Sequence, residues 1–271
     1  MAQFDALSKV TIGQYLPTGS FLHRLDPRMK IIGYLALILA VTFSRSFGGV
    51  VCAILLTLAG LWAARIPKTR ILHALLPPLP YLILIALLQI LFNPQSGVPL
   101  LDLKILTITD ASLLSAGMLM LRFIALILLI SLASFTISDA ESIHGLESLL
   151  RPLSRIGLPS MDLVMVIQIA LRFLPLLAIS AERISKAQAS RGADWGGGKK
   201  GLIARVRAVI PLIVPLLTTS LRRAESLAGA MEARAYGVRS ERTSMHEYTI
   251  KKQDIVFILL VGLVLLLIIR L

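Results

Sequence analysis

The sequence predicts an all-α polytopic membrane protein: about five transmembrane helices plus a cytoplasmic or interfacial domain built from long helices. Three observations carry that reading. The chain is 56% hydrophobic with a mean hydropathy of +0.81, yet its formal net charge is +13. A soluble domain rarely combines the two, whereas apolar spans joined by basic loops do. The apolar residues also come in helix-length runs, and the basic residues fall between those runs rather than inside them. Because the arginines follow the apolar runs, loops facing anionic lipid account for the charge better than nucleic acid does. Cys52, the single cysteine, lies within an apolar run and reads as a core residue, so no disulfide framework exists. The first thirty residues lack the charged-then-apolar pattern of a cleaved secretory signal.

Taken in order, residues 1–30 are polar and end in Asp26-Pro27, a helix start in which a carboxylate caps and proline occupies the first turn at no hydrogen-bond cost. The run Ile31 to Ser44 follows; it spans ~21 Å as a straight helix. It needs Met29 and a snorkelling Lys30 to approach the ~20 residues a bilayer requires. Arg45-Ser46 forms a tight turn, and Phe47 to Ala64 is the second span. Arg65, Lys68 and Arg70 form a basic loop. Residues 71–101 carry no Asp, Glu, Lys or Arg but five prolines, Pro77, Pro78, Pro80, Pro94 and Pro99. The third span is therefore placed at Leu79 to Phe92, entered through a broken or interfacial segment. A loop runs to Asp110, and Ala111 to Ile137 is the clearest span, with Arg122 as its only charge. That arginine is expected to be paired internally or to sit near a cytoplasmic cavity.

Ser138-Asp139-Ala140-Glu141 reads as a capping box opening a helix to about Leu150. Arg151-Pro152 and Gly157-Leu158-Pro159 break the chain. Ser160 then starts a long helix to Ser190, and a glycine-rich connection over residues 192–201 leads to a second, Leu202 to about Arg234, kinked at Pro211 and Pro215. A charged linker precedes the last span, Ile255 to Ile269. Residues 138–252 hold 17 of the 28 basic residues. Five spans with a cytoplasmic N-terminus place all three basic regions inside. The chain thus divides into residues 1–137 (N-terminal segment and four spans), 138–252 (coupling helices) and 253–271 (the last span). Residues 161–178 are apolar enough to be a sixth span, but Asp162, Gln168, Arg172 and Pro175 favour a helix at or just under the membrane surface.

Two short arginine motifs end the two long helices: Ser190-Arg191-Gly192 and Ala233-Arg234-Ala235. One reading is a plain helix ending, with glycine taking the left-handed conformation and arginine facing the negative end of the dipole. The other is that each guanidinium projects from a helix end into an acidic groove on a partner, where its planar fork pairs bidentately. On the second helix Leu221, Ala224, Leu227, Ala228 and Met231 fall on one stripe, away from Arg222, Arg223, Glu225 and Glu232. Ala224 and Ala228 make a small-residue face that a neighbouring helix can approach closely.

These residues, with the N-terminal element Tyr15-Leu16-Pro17-Thr18-Gly19-Ser20-Phe21-Leu22-His23-Arg24-Leu25-Asp26-Pro27-Arg28-Met29-Lys30, resemble the transmembrane T component of energy-coupling factor transporters, the ABC-type importers of vitamins and transition-metal ions. The second motif departs from the family's usual glycine at Ala235, with Gly237 as the alternative cap. The resemblance implies a prokaryotic plasma-membrane protein with its coupling domain in the cytoplasm. It implies two ABC ATPase partners whose grooves receive Arg191 and Arg234 with their flanking residues. It also implies a membrane-embedded substrate-binding S component against the apolar stripe. ATP and magnesium would be bound by the ATPases and no cofactor by this chain, which would not be an enzyme by itself.

Other chemistries find little support. Gly196-Gly197-Gly198-Lys199-Lys200 lacks the spacing and the Ser/Thr of a phosphate loop. The four histidines show no ligand spacing, and no paired acids lie on a span. A self-sufficient secondary transporter is the alternative; it predicts internal repeats and ionisable groups at mid-membrane, and only Arg122 answers to that.

Overall fold

The computed structural model describes residues 15–44, 46–92, 99–103, 106–150, 160–192, 202–238 and 251–270. Contacts divide the chain into two compact units. One comprises Gly13–Leu158 with Tyr248–Leu271, the other Met1–Ile12 with Pro159–Glu247. The turn at Arg45, the breaks over residues 151–159, the glycine-rich connection after Gly192 and the linker over 239–250 lie outside the described residues.

The first unit is a helical bundle. A 3-10 turn, Phe21–Arg24, precedes α1 (Pro27–Phe43), α2 (Phe47–Ala63), α3 (Lys68–Leu75) and α4 (Leu79–Phe92). A two-stranded antiparallel hairpin, β1 (Pro99–Leu103) and β2 (Leu106–Thr109), stands where the sequence suggests only a loop. Then come α5 (Asp110–Thr136), α6 (Asp139–Leu150) and, after the second unit, α9 (Lys252–Arg270). The second unit holds α7 (Ser160–Ser190) and α8 (Leu202–Ala233), the latter continuous through Pro211 and Pro215.

Several boundaries follow from local chemistry. The Asp26 carboxylate accepts the Arg28 N–H at 2.9 Å with Pro27 in the first turn, so α1 starts where the Asp-Pro pair places it. Ser138 and Glu141 close the predicted capping box, each side chain accepting the other's backbone N–H at 3.2 Å. The Asp254 carboxylate accepts the Lys251 N–H at 2.6 Å, which starts α9 a turn before the apolar run. The basic loop is partly helical: α3 begins at Lys68 and meets α4 at a 46° bend, the prolines Pro77 and Pro78 falling at the break.

Among the described residues, α5 and Asp162–Ser190 of α7 are long and apolar enough to cross a membrane, and α3 with α4 forms a third, bent candidate; these are statements of length and composition. For α7, expected from sequence at or just under the membrane surface, length and composition alone also permit a crossing.

Two clusters form the core of the bundle. One gathers Leu22, Leu25, Tyr34, Leu61, Leu128 and Phe135; the other gathers Leu37, Val41, Val50, Leu129, Val261 and Ile268. Close approach is decided by glycine. A Cβ on Gly33 would lie 2.6 Å from the Phe257 ring, and one on Gly145 would lie 2.6 Å from Ile31 and 3.3 Å from Pro27. The helix α6, assigned from sequence to the coupling segment of residues 138–252, thus packs on α1 within the bundle.

The segment before α1 is tied down in the same way. Leu16 donates its N–H to the Phe135 carbonyl at 3.2 Å, and the Thr18 hydroxyl donates to the Ala64 carbonyl at 2.6 Å. Burial, and then the Glu141 carboxylate, push the Tyr15 phenol above its ordinary pKa. Asp26 donates its own N–H to Asp254 at 2.7 Å, joining the start of α1 to the start of α9.

Lys30 does not snorkel. It is fully buried, and its Nζ donates to the His23 carbonyl at 2.9 Å, the Thr136 carbonyl at 3.3 Å and the Glu141 carboxylate at 3.2 Å. Periodicity cannot reveal such a pocket, because the three acceptors come from three separate elements. Arg122 is paired internally, donating to the Ser44 carbonyl at the end of α1.

Lys30→Met should therefore strand Glu141 and destabilise the bundle by about 3 kcal/mol, at the low end for a broken buried pair because Glu141 remains partly exposed. Lys30→Met with Glu141→Gln should recover part of that loss. Denaturant unfolding of the detergent-solubilised chain reads both; a Lys30→Met protein as stable as the parent would refute the role given to this pocket.

Candidate functional site

The two arginine motifs share one backbone geometry. At the end of α8 the Ala235 N–H bonds the Glu232 carbonyl at 2.8 Å and the Tyr236 N–H bonds the Met231 carbonyl at 3.0 Å. This pair of bonds closes a helix around a left-handed residue, and that residue is Ala235, with φ +57°. Gly237 is left-handed too, φ +88°, but it lies beyond the closure, so the cap belongs to Ala235. At the end of α7 the Gly192 N–H bonds the Ala189 carbonyl at 3.0 Å and Gly192 has φ +81°. Ser190 turns its hydroxyl back to the Ala187 carbonyl at 2.8 Å. Arg191 and Arg234 therefore occupy the same position, the last residue before the left-handed turn.

Both guanidinium-bearing residues are exposed, as are Ser190, Gly192, Ala233 and Ala235. Among the described residues, neither arginine side chain bonds the free carbonyls of its own last turn. The cap is made by the backbone. The helix end thus leaves a cation pointing into solvent at the negative pole of the dipole, where it is held favourably without being used up.

The stripe on α8 is graded in burial. Leu227 and Met231 are half-buried and continue the series Leu212, Leu216, Thr219 and Arg223, the face packed on α7. Leu221, Ala224 and Ala228 are exposed and continue the adjoining series Ile210, Ile213, Val214 and Leu217, whose members are each about half exposed. The five residues form one stripe about a third of the helix circumference wide, with Leu227 and Met231 at its more buried side. The exposed series is a continuous apolar ridge ending in two alanines.

Among the described residues no group of three or more His, Cys, Asp or Glu side chains gathers as a metal site would. Among the described residues the first unit is a helical bundle, and the second is a pair of long helices with matched cations at their ends and an exposed apolar ridge. With helices long and apolar enough to cross a membrane, this is the make-up of a helical membrane protein.

Comparison with known proteins specifies the class. The family model CbiQ, described as cobalt transport protein, matches residues 18–245, from the N-terminal strap through both long helices. The energy-coupling factor transporter transmembrane protein EcfT of Clostridium kluyveri is 38% identical over 250 residues, 92% of each chain. That of Heliobacterium modesticaldum is 39% identical over 248 residues, 92% of each chain, and that of Streptococcus equi subsp. equi 31% identical over 255 residues, 94% of each chain. The chain belongs to this family of energy-coupling factor transporter transmembrane proteins.

The cap makes a prediction of its own. A non-glycine residue in the left-handed region costs about 1 kcal/mol, so Ala235→Gly should stabilise the end of α8 by up to about that amount, whereas Ala235→Val should fray it. Hydrogen exchange at the amides of Ala235 and Tyr236 measures this directly. Faster exchange in Ala235→Gly would contradict the closure described.

Proposed function

We propose that this chain is the energy-coupling scaffold of an ATP-driven micronutrient importer, for a vitamin or a transition-metal ion, in which α7 and α8 link two ABC ATPases to a membrane-embedded substrate-binding S component. The observation that carries the reading is the equivalence of Arg191 and Arg234: two exposed cations, each presented by a closed helix end. Two matched contact points suit two matched partners. In this reading each guanidinium enters an acidic groove on one ATPase and pairs bidentately, with Ser190, Gly192, Ala233 and Ala235 shaping the backbone around it. An α8 of 32 residues, ~48 Å long, separates its capped end from its start far enough for two bulky subunits not to collide.

The ridge from Ile210 to Ala228 is the surface offered to the S component, with Leu221 at its middle and Ala224 and Ala228 allowing close backbone approach. Leu227 and Met231, half-buried towards α7, hold the ridge in place rather than touching that partner. Closing of the ATPases on ATP then displaces the helix ends, and the movement reaches the S component along the same two helices. ATP and its magnesium belong to the ATPases in this scheme; this chain transmits force and performs no catalysis. The basic regions, and with them the coupling helices, face the cytoplasm of a prokaryotic cell.

Co-purification of the tagged chain from native membranes, with an ATPase assay, tests the proposal. Arg191→Ala and Arg234→Ala should each weaken recovery of ATPase subunits about tenfold or more, in the range of an arginine anchor at an interface, and the double variant should recover none. Recovery of the chain alone, active in uptake, would overturn the scheme in favour of a self-sufficient carrier. Ala224→Trp with Ala228→Trp should retain the ATPases while losing the small apolar partner; an unchanged assembly would remove the ridge from the interface.

A further inference from the structure

Between the end of α2 and α3 the bundle carries an open groove of about 930 Å³. Its walls are apolar, with Leu58, Leu61, Ile71, Leu72 and Leu75 among them, while Arg65 and Lys68 lie at one end. Trp62, 84% exposed, lines it. The sequence contains no Asp or Glu from residue 27 to residue 101, and among the described residues no ion pair engages Arg65 or Lys68.

Arg65 is held in an unusual way. The Arg65 N–H bonds the Trp62 carbonyl at 2.9 Å and the Ile66 N–H bonds the Leu61 carbonyl at 3.2 Å, closing α2 around Arg65 itself, with φ +55°. Glycine would take that conformation without strain; an arginine there carries a backbone cost, and the closure fixes where its side chain leaves the helix.

We propose that this groove binds an anionic phospholipid, its phosphate against Arg65 and Lys68 and an acyl chain along the apolar trough. The polarity of the site selects the occupant. A soluble anion has no use for the trough, and a neutral lipid has none for two cations at one end. An exposed tryptophan beside them marks the depth at which headgroup and chain meet. Attraction between basic side chains and anionic headgroups is worth about fivefold in affinity per residue.

The test uses fluorescence. With Trp195→Phe, Trp62 is the remaining tryptophan, and its quenching by brominated phosphatidylglycerol is compared with that by brominated phosphatidylcholine in vesicles. A preference of about 25-fold for the anionic lipid is expected, falling about fivefold on Lys68→Gln. Arg65→Gly removes one of the two charges while relieving the backbone, so it should lower the preference about fivefold and keep the fold. Lys252→Gln, a cation outside the groove, should change nothing. Equal quenching by the two lipids, an undiminished preference in Arg65→Gly, or an equal loss in Lys252→Gln would overturn the proposal. So would competition by inorganic phosphate, which would make the site one for a soluble anion. Loss of the preference in the assembly purified from native membranes would mean that protein fills the groove.

Discussion

The buried ammonium of Lys30 is the constraint around which the bundle is arranged. Removing a cation from water costs several kcal/mol, and only a full set of acceptors offsets it. Here the set is drawn from the 3-10 turn, the last turn of α5 and the first turn of α6. Those elements cannot slide relative to α1 without stranding the charge. Apolar contacts such as Leu61 with Leu132 tolerate small shifts, but three directional bonds to one nitrogen do not. Asp254 does the complementary job, accepting from Asp26 and from Lys251, so the C-terminal helix is pinned to the beginning of α1. A strap, four helices and a chain terminus are registered by two buried ions.

The helix ends of the second unit show how a common local motif can serve a rarer purpose. A helix ending in arginine followed by a left-handed residue needs no function to explain it. Yet capping by the backbone and recognition by the side chain draw on different atoms, so one does not exclude the other. The closure at Ala235 fixes where the chain leaves the helix, and thereby where the preceding guanidinium emerges. Ala235 accepts a conformational cost that glycine avoids, and the geometry at the two ends stays alike despite the different residue.

Much of this was legible from the sequence where the signal is local. The Asp26-Pro27 start of α1, the Ser138/Glu141 box and the extent of α4 at Leu79–Phe92 depend on neighbours a few residues apart, and they are as read. The N-terminal strap and the paired arginine motifs pointed to the family. What escaped reading was set by distant residues. Lys30 was expected to reach for solvent because its acceptors lie over a hundred positions away, at Thr136 and Glu141. The stripe on α8 lies on one face by its spacing, but that spacing does not tell that Leu227 and Met231 are half-buried while Leu221, Ala224 and Ala228 are exposed. The short helix α3 was hidden by a proline-rich context that does break the chain, one turn later.

The lengths of the bundle helices have a consequence for the surrounding lipid. Helices α1 and α2 have 17 residues each, ~26 Å of axis, while α5 has 27, ~40 Å. A hydrocarbon layer is ~30 Å thick. Set across such a layer, α1 and α2 would be too short and α5 more than long enough, and a mismatch of that kind costs a fraction of a kcal/mol for each ångström. Were all three to cross, the membrane would thin beside α1 and α2 and recover its depth beside α5. A change in acyl-chain length would then alter the load on the protein without touching any residue.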